Sequence, residues 1–249
     1  MRTLILLIAC SLLCGGALAQ GKPRETLEPT VTEVWDLKPV KITPATTPGG
    51  APSDAIIIFD GKDLSKWASA KDGSDAKWEV KDGAFTVTKG TGDIKTKQAF
   101  GDMQLHIEWR TPAKVEGDGQ GRGNSGIFLQ ERYELQVLDS YESPTYSNGQ
   151  ASSIYKQAIP LVNACLKPGE WQTYDVIYTE PRFSENGRVV IPGHITVLQN
   201  GVLTLNNQPI SGPTEYKGLP VYQSHGKASI KLQDHGNPVS YRNIWVREL

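Results

Sequence analysis

Met103-Gln104-Leu105-His106-Ile107-Glu108-Trp109-Arg110 sets Leu105, Ile107 and Trp109 on one side of an extended chain and His106, Glu108 and Arg110 on the other. A period of two over eight residues is the signature of a strand with one buried face. The same alternation returns in Tyr133 to Asp139, Tyr174 to Thr179, Ile195 to Gln199, Ala228 to Gln233 and Tyr241 to Val246. Turn residues punctuate these runs. Asp82-Gly83 separates Trp78-Glu79-Val80 from Ala84-Phe85-Thr86-Val87, Asn200-Gly201 follows Gln199, and Asp60-Gly61 ends Ile56-Ile57-Ile58-Phe59. Such dipeptides suit tight hairpins because they tolerate positive φ. No stretch holds a period of 3.6, and no repeat of propeller type is visible. The expectation is an all-β sandwich.

The flanking sequence divides the chain. Arg2, the apolar stretch Thr3 to Leu13 and the small-residue site Ala17-Leu18-Ala19 form a secretory signal pattern over residues 1–19, with an apolar run too short to span a bilayer. The expected location is therefore periplasmic or secreted. Leu7-Ile8-Ala9-Cys10 resembles a lipobox and leaves lipid anchoring at Cys10 as the alternative. Residues 20–53 are rich in Pro and Thr and read as an extended linker or an arm, with the linker preferred. Residues 54–249 form the sandwich. Cys10 and Cys14 leave with the signal, so Cys165 has no partner for an intrachain disulfide and reads as a small buried hydrophobe before a nucleophile. A formal charge of -1 provides no electrostatic footprint for nucleic acid or for an anionic membrane.

Alternation also assigns a polar face. Leu135, Val137, Ile230 and Leu232 take the core, which turns Glu134, Gln136, Lys231 and Gln233 the other way, with His235 following if the pattern continues. Carboxylate, amide and imidazole groups on one sheet face suit a polar ligand such as a sugar. Trp67, Trp78 and Trp109 read as core. Trp245 falls on the polar face as a stacking candidate, whereas strict alternation from Ile244 and Val246 puts Arg242 on the core side and makes Arg242 and Asn243 structural.

Four segments go further than a generic sandwich: Phe59-Asp60-Gly61-Lys62-Asp63-Leu64-Ser65-Lys66-Trp67, Gly123-Asn124-Ser125-Gly126-Ile127-Phe128, Tyr133-Glu134-Leu135-Gln136-Val137-Leu138-Asp139-Ser140, and Leu232-Gln233-Asp234-His235-Gly236-Asn237-Pro238-Val239-Ser240-Tyr241-Arg242-Asn243-Ile244. In this order they resemble the 3-keto-disaccharide hydrolase domain family, over roughly residues 55 to 249. Asn163-Ala164 and Pro168 to Asp175 add to the resemblance. It implies a concanavalin-like jelly roll of two curved antiparallel sheets. It also implies glycosides already oxidised to a ketone at C3, made by a separate sugar 3-oxidoreductase.

A C3 ketone acidifies the C2 hydrogen, and the enolate can expel the group on C1, after which water adds back. That route needs a base near C2, an electrophile for the enolate oxygen and a proton for the leaving oxygen, not the paired carboxylates of ordinary glycosidases. Glu134 and His235 are the acid–base candidates. The alternatives are an ion pair of Glu134 with Arg122 or Lys231, and a His235 bonded to a backbone carbonyl. Arg122, in a Gly-rich stretch without the strand–helix context of a phosphate loop, is an enolate or hydroxyl binder or else a solvated loop residue. Asn124, Gln136 and Gln233 are hydroxyl partners, Lys231 shares their face, and Tyr155 lies on a long polar segment (141–157) able to cover the site. A divalent cation on Glu134, Asp139 and His235 stays open, although Asp139 points away from Glu134 in a regular strand and no metal motif is present. The competing function is a non-catalytic carbohydrate-binding module; a structural envelope protein is a third. A titratable cluster separates enzyme from binder, because a binder needs platforms and amides but no base.

Overall fold

The structure, a computed structural model, describes residues 27–249. The expected signal segment with Cys10 and Cys14, and the first part of the Pro/Thr-rich stretch, lie outside the described residues. The chain divides at Lys41 and Ile42 into two units. In the first, the described residues hold one 3-10 turn, Pro29–Thr32, and bury none of its side chains. Among the described residues no helix is long and apolar enough to cross a membrane.

The second unit is a sandwich of antiparallel strands: β1 (Ile56–Phe59), β2 (Trp67–Ser69), β3 (Glu79–Lys81), β4 (Ala84–Thr86), β5 (Ile94–Phe100), β6 (Met103–Arg110), β7 (Ser125–Leu129), β8 (Tyr133–Val137), β9 (Gln172–Thr179), β10 (Arg182–Phe183), β11 (Val189–Ile191), β12 (His194–Gln199), β13 (Val202–Pro209), β14 (Ala228–Leu232) and β15 (Ser240–Glu248). The larger sheet runs β13-β12-β9-β6-β15-β4-β3, with β1 also on β15; the smaller runs β2-β5-β14-β7-β8, and β10 and β11 form a separate ribbon. Sequence neighbours such as β14 and β15 lie in different sheets, the crossover habit of a jelly roll. Both residues of the Asp82-Gly83 and Asn200-Gly201 turns take positive φ, as their hairpins require.

The core lies between the sheets. Leu105, Ile107 and Trp109 of β6 and Tyr174, Val176 and Tyr178 of β9 face Ile127, Leu129, Leu135, Val137, Ile230 and Leu232 of the smaller sheet. Trp67 and Trp78 are buried in it as well. One expectation changes. Arg242 pairs with Glu108 and Trp245 with His106, so two residues of β15 face one of β6. Asn243 takes the extra place at φ 44°. This bulge resets the alternation: Tyr241 and Ile244 both face the core, and Arg242 points out to Glu108, 2.5 Å away.

Residues 42–53 pack on the outer face of the larger sheet. The Gly49 carbonyl accepts from Asn243 Nδ2 (2.8 Å) and Trp245 Nε1 (3.0 Å). Trp245 does point away from the core, but this segment covers it to 5% exposure and it stacks on His106. His106 Nδ1 lies 2.7 Å from Asp175 and its Nε2 3.7 Å from Glu108. Burial pulls the imidazole pKa down, but Asp175 and Glu108 outweigh it and hold the ring charged, with a pKa raised to about 9. A folded pKa above the unfolded value stabilises fully below the unfolded pKa and fades as pH rises through the folded one. The His106 contribution, about 2 kcal/mol after allowing for the partly exposed Asp175, is therefore expected below pH 6.5 and lost towards pH 9. Urea midpoints of wild type and His106→Gln at pH 6 and pH 9.5 check this: the gap between them must close at the higher pH.

Candidate functional site

The site is built on the outer face of the smaller sheet. On β8, Tyr133, Leu135 and Val137 enter the core, so Glu134 and Gln136 project the opposite way; on β7, Gly126 and Phe128 share that face. A plain outer strand face would be wet, yet all of β8 is buried. The segment after Ser140 folds back along it. Gln136 N donates to Ser153 O (3.0 Å), Ser152 N to Gln136 O (3.0 Å) and Tyr155 N to Glu134 O (3.1 Å), so residues 152–155 act as an added edge strand. From the other side Thr214 Oγ1 accepts from Glu134 N at 3.0 Å. Between them opens a cleft of about 740 Å³. Asn124, Phe128, Glu134, Gln136 and Gln233 line its sheet side, and Gln120, Tyr146, Tyr155, Lys156, Tyr216 and His235 its other walls.

Glu134 sits in this cleft at 5% exposure. Burial raises its pKa to about 8, with Lys231 pulling down and Asp93 pushing up. Neither expected ion pair forms. Lys231 is 3.1 Å from Asp93, with its ammonium 4.1 Å from the Phe128 ring centre, and Arg122 is 2.6 Å from Asp139. The side-chain donor within reach is Gln136, whose amide, turned over, lies 3.2 Å from Glu134 Oε1 and 3.0 Å from the Ser125 carbonyl. The carboxyl owes its room to Gly126, where a Cβ would stand 2.5 Å from Glu134 Oε1 and 2.9 Å from the Phe128 ring. Gly126→Ala is expected to displace the carboxyl and lower turnover about 100-fold while costing only about 1 kcal/mol of stability, read from initial rates and a urea curve.

Of the residues singled out in the sequence, Glu134, His235, Asn124, Gln136, Gln233 and Tyr155 meet in the one cleft. His235 is exposed at its edge, and Asn124 Nδ2 is held by the Gln120 carbonyl at 2.7 Å. Arg122, Lys231 and Trp245 do not line it. Arg122 turns from the Gly-rich stretch to Asp139 and the Tyr141 carbonyl (3.1 Å), beside a separate crevice of about 190 Å³. Trp245 belongs to the other sheet. Asp139, tied to Arg122, is not gathered with Glu134 and His235; among the described residues no set of three His, Cys, Asp or Glu is placed to hold a metal ion. Cys165 packs beside the core, accepts from Gln199 Nε2 (3.1 Å), and burial pushes its thiol up to about 11, so it stays protonated at neutral pH.

Tyr146, Lys156, Thr214, Tyr216 and Gln120 escaped the sequence reading, since loops from three regions bring them in. Gln120 is fixed by donating to Thr145 Oγ1 (3.1 Å) and the Gly149 carbonyl (2.9 Å). Lys156 lies at φ 59°, a left-handed backbone that a Lys seldom adopts. Nothing in Tyr155-Lys156-Gln157 announces that conformation.

Residues 54–247 match the family model described as a 3-keto-alpha-glucoside-1,2-lyase-like domain. The chain belongs to this family. A 3-keto-disaccharide hydrolase from Bacteroides thetaiotaomicron is 27% identical over 245 aligned residues, which cover 78% of each chain. A solved structure from Parabacteroides distasonis, described as a candidate glycosyl hydrolase, is 54% identical with a TM-score of 0.86, covering 90% of this chain and 97% of its own. A second chain from that organism, at 19% identity and a TM-score of 0.59, covering 84% of this chain and all of its own, shares the fold. In this 3-keto-alpha-glucoside-1,2-lyase-like domain three of the four segments that carry the resemblance converge, while Phe59 to Trp67 stays away from the cleft. Gly123 to Phe128 forms the approach to β7 and most of that strand, Tyr133 to Ser140 is β8 and its exit, and Leu232 to Ile244 joins β14 to β15. All three contribute residues to the cleft.

Proposed function

We propose that the cleft cleaves 3-keto-glycosides, with Glu134 as the base that removes the C2 proton. The observation that carries this reading is Glu134 itself: a buried carboxyl without an ion-pair partner, raised to about 8, facing a cleft of small-ligand size. Burial makes it a stronger base than a solvated carboxylate, which suits a carbon acid activated by a neighbouring ketone. Asn124, Gln136 and Gln233 are the hydroxyl partners, and His235 at the edge exchanges protons with water in the addition that follows elimination.

The family description speaks of a lyase and the Bacteroides relative is named a hydrolase. The two share the elimination and differ in whether water then adds to C1. We assign net hydrolysis to this chain, with exposed His235 where water enters. A sugar 3-oxidoreductase supplies the ketone, and the pattern of Arg2, the apolar Thr3 to Leu13 stretch and Ala17-Leu18-Ala19 supports export. A pure binding module would account for the tyrosines of the cleft, but not for a carboxyl left buried and unpaired.

The test is proton NMR of wild type on a methyl 3-keto-glucoside and on methyl glucoside. Methanol should appear only from the ketone, with the C2 hydrogen exchanging for solvent deuterium and a hydrated 3-keto sugar accumulating. His235→Ala should then slow hydration about tenfold and let the enone build up. Binding without methanol release, or equal cleavage of the unoxidised glucoside, would exclude the mechanism.

A further inference from the structure

Elimination also needs a proton for the departing oxygen, and a hydroxyl pair in the cleft has one to give. Buried Tyr174, Tyr178 and Tyr241 donate to the Gln136 carbonyl, Gln130 Oε1 and Ser125 Oγ, and half-buried Tyr222 donates to the Ile210 carbonyl. Half-buried Tyr155 and exposed Tyr146 differ. Their hydroxyls are 2.6 Å apart and, among the described residues, have no other partner. Two hydroxyls carry two protons, and one hydrogen bond uses one of them. The second proton has no acceptor in the protein, and both side chains line the cleft.

Position singles out Tyr155 as the outward donor. Its backbone N bonds the Glu134 carbonyl at 3.1 Å, which sets the two residues side by side. Consecutive strand residues face opposite ways, yet Tyr155 and Lys156 both line the cleft, because the left-handed backbone at Lys156 turns the chain there. The Lys156 ammonium is held by the Tyr216 carbonyl at 2.8 Å and stands 5.8 and 5.9 Å from the Tyr146 and Tyr155 ring centres. Burial keeps the Tyr155 hydroxyl above its ordinary range, so it holds its proton at neutral pH.

Resting on the elimination reading, we propose that Tyr155, hydrogen-bonded by Tyr146, is the general acid that protonates the departing glycosidic oxygen. Glu134 takes the C2 proton and the C2–H electron pair forms the enolate. As the C3 carbonyl re-forms, the C1–C2 double bond forms and the C1–O bond breaks. The leaving oxygen keeps that bond's electron pair and takes the Tyr155 proton. The Tyr146 hydroxyl then donates to the Tyr155 phenolate, which regains a proton from water.

Leaving groups of different basicity test the assignment. A methoxide must be protonated as it leaves; a 4-nitrophenolate need not be. Tyr155→Phe is expected to lower kcat on methyl 3-keto-glucoside by about 10²-fold or more and on the 4-nitrophenyl 3-keto-glucoside by less than about threefold. Exchange of C2 hydrogen for deuterium continues in the variant and outpaces methanol release. Tyr146→Phe shows the same selectivity at about tenfold. Equal losses on both substrates, or no loss on either, overturn the assignment and leave Tyr155 a binding or structural residue. Wild type that neither exchanges the C2 hydrogen nor releases either aglycone sinks the elimination reading itself.

Discussion

Glu134→Gln is expected to lower kcat/KM on a 3-keto-glycoside by about 10³-fold or more while the protein stays folded. Glutamine keeps the shape and removes the carboxylate proposed to accept the C2 proton. The pH profile carries the same signature. A base works as its anion, so the wild-type rate climbs about tenfold per pH unit and levels off above about 8, where Glu134 has ionised. An acid role would produce the mirror image, with activity falling above that pH. Stability runs against activity. The folded pKa lies above the ordinary 4.5, so the folded state binds the extra proton, and wild type loses stability as pH rises from 4.5 through 8. The buried anion costs roughly 5 kcal/mol at most, and Glu134→Gln escapes that cost. Above pH 8 the inactive variant should therefore melt later than wild type. Initial rates and melting curves from pH 5 to 9.5 read both effects. A variant with wild-type turnover, or one less stable at pH 9, would remove Glu134 from the base role. The His106 cluster fades over an overlapping range, but on the other sheet and equally in both proteins, so it cancels in the difference.

Arg122→Ala is the second large effect, and it falls on folding instead of on substrate. The guanidinium donates Nε to Asp139 at 2.6 Å, and Asp139's side chain is 3% exposed. Removing one partner of a buried pair leaves the other charge stranded, at about 3 kcal/mol for a pair whose Arg still sees some solvent. Asp139 retains one bond from Tyr141 N at 3.2 Å, too little to hold a full charge. The urea midpoint should drop while KM of the folded fraction stays within about twofold. Adding Asp139→Asn to Arg122→Ala should recover much of the loss, because the stranded charge is gone. A large rise in KM with unchanged stability would return Arg122 to the substrate.

How much of this was legible beforehand depends on the range of the information. Alternation in Tyr133-Glu134-Leu135-Gln136-Val137 separates Glu134 and Gln136 from the core residues because successive side chains of a strand leave on opposite faces, and that needs no neighbour. The same rule misplaces Arg242, since the bulge at Asn243 arises from pairing between β15 and β6, two strands more than a hundred residues apart in the chain. It also turns Trp245 outward correctly but is silent about Gly49, which covers it. Lys231 shares a polar face with Glu134 in the sequence and Arg122 lies in a Gly-rich stretch, yet in space they find Asp93 and Asp139, because a flexible cation goes to whichever carboxylate the loops bring nearest.

The amino-acid sequence by itself determined most of the longer strands, their hairpin turns, the inward set of all but the last and the resemblance to a family, all of which rest on short spacings or on ordered motifs. Only the tertiary structure decided which outward face becomes a cleft. That choice is made where residues 152–155 lie along β8 and bury Glu134, and where the Lys156 turn brings Tyr155 and Lys156 to the same wall. A carboxyl on an open strand would be an ordinary solvated acid. The covering segment removes its water, and the loss of water raises its affinity for a proton.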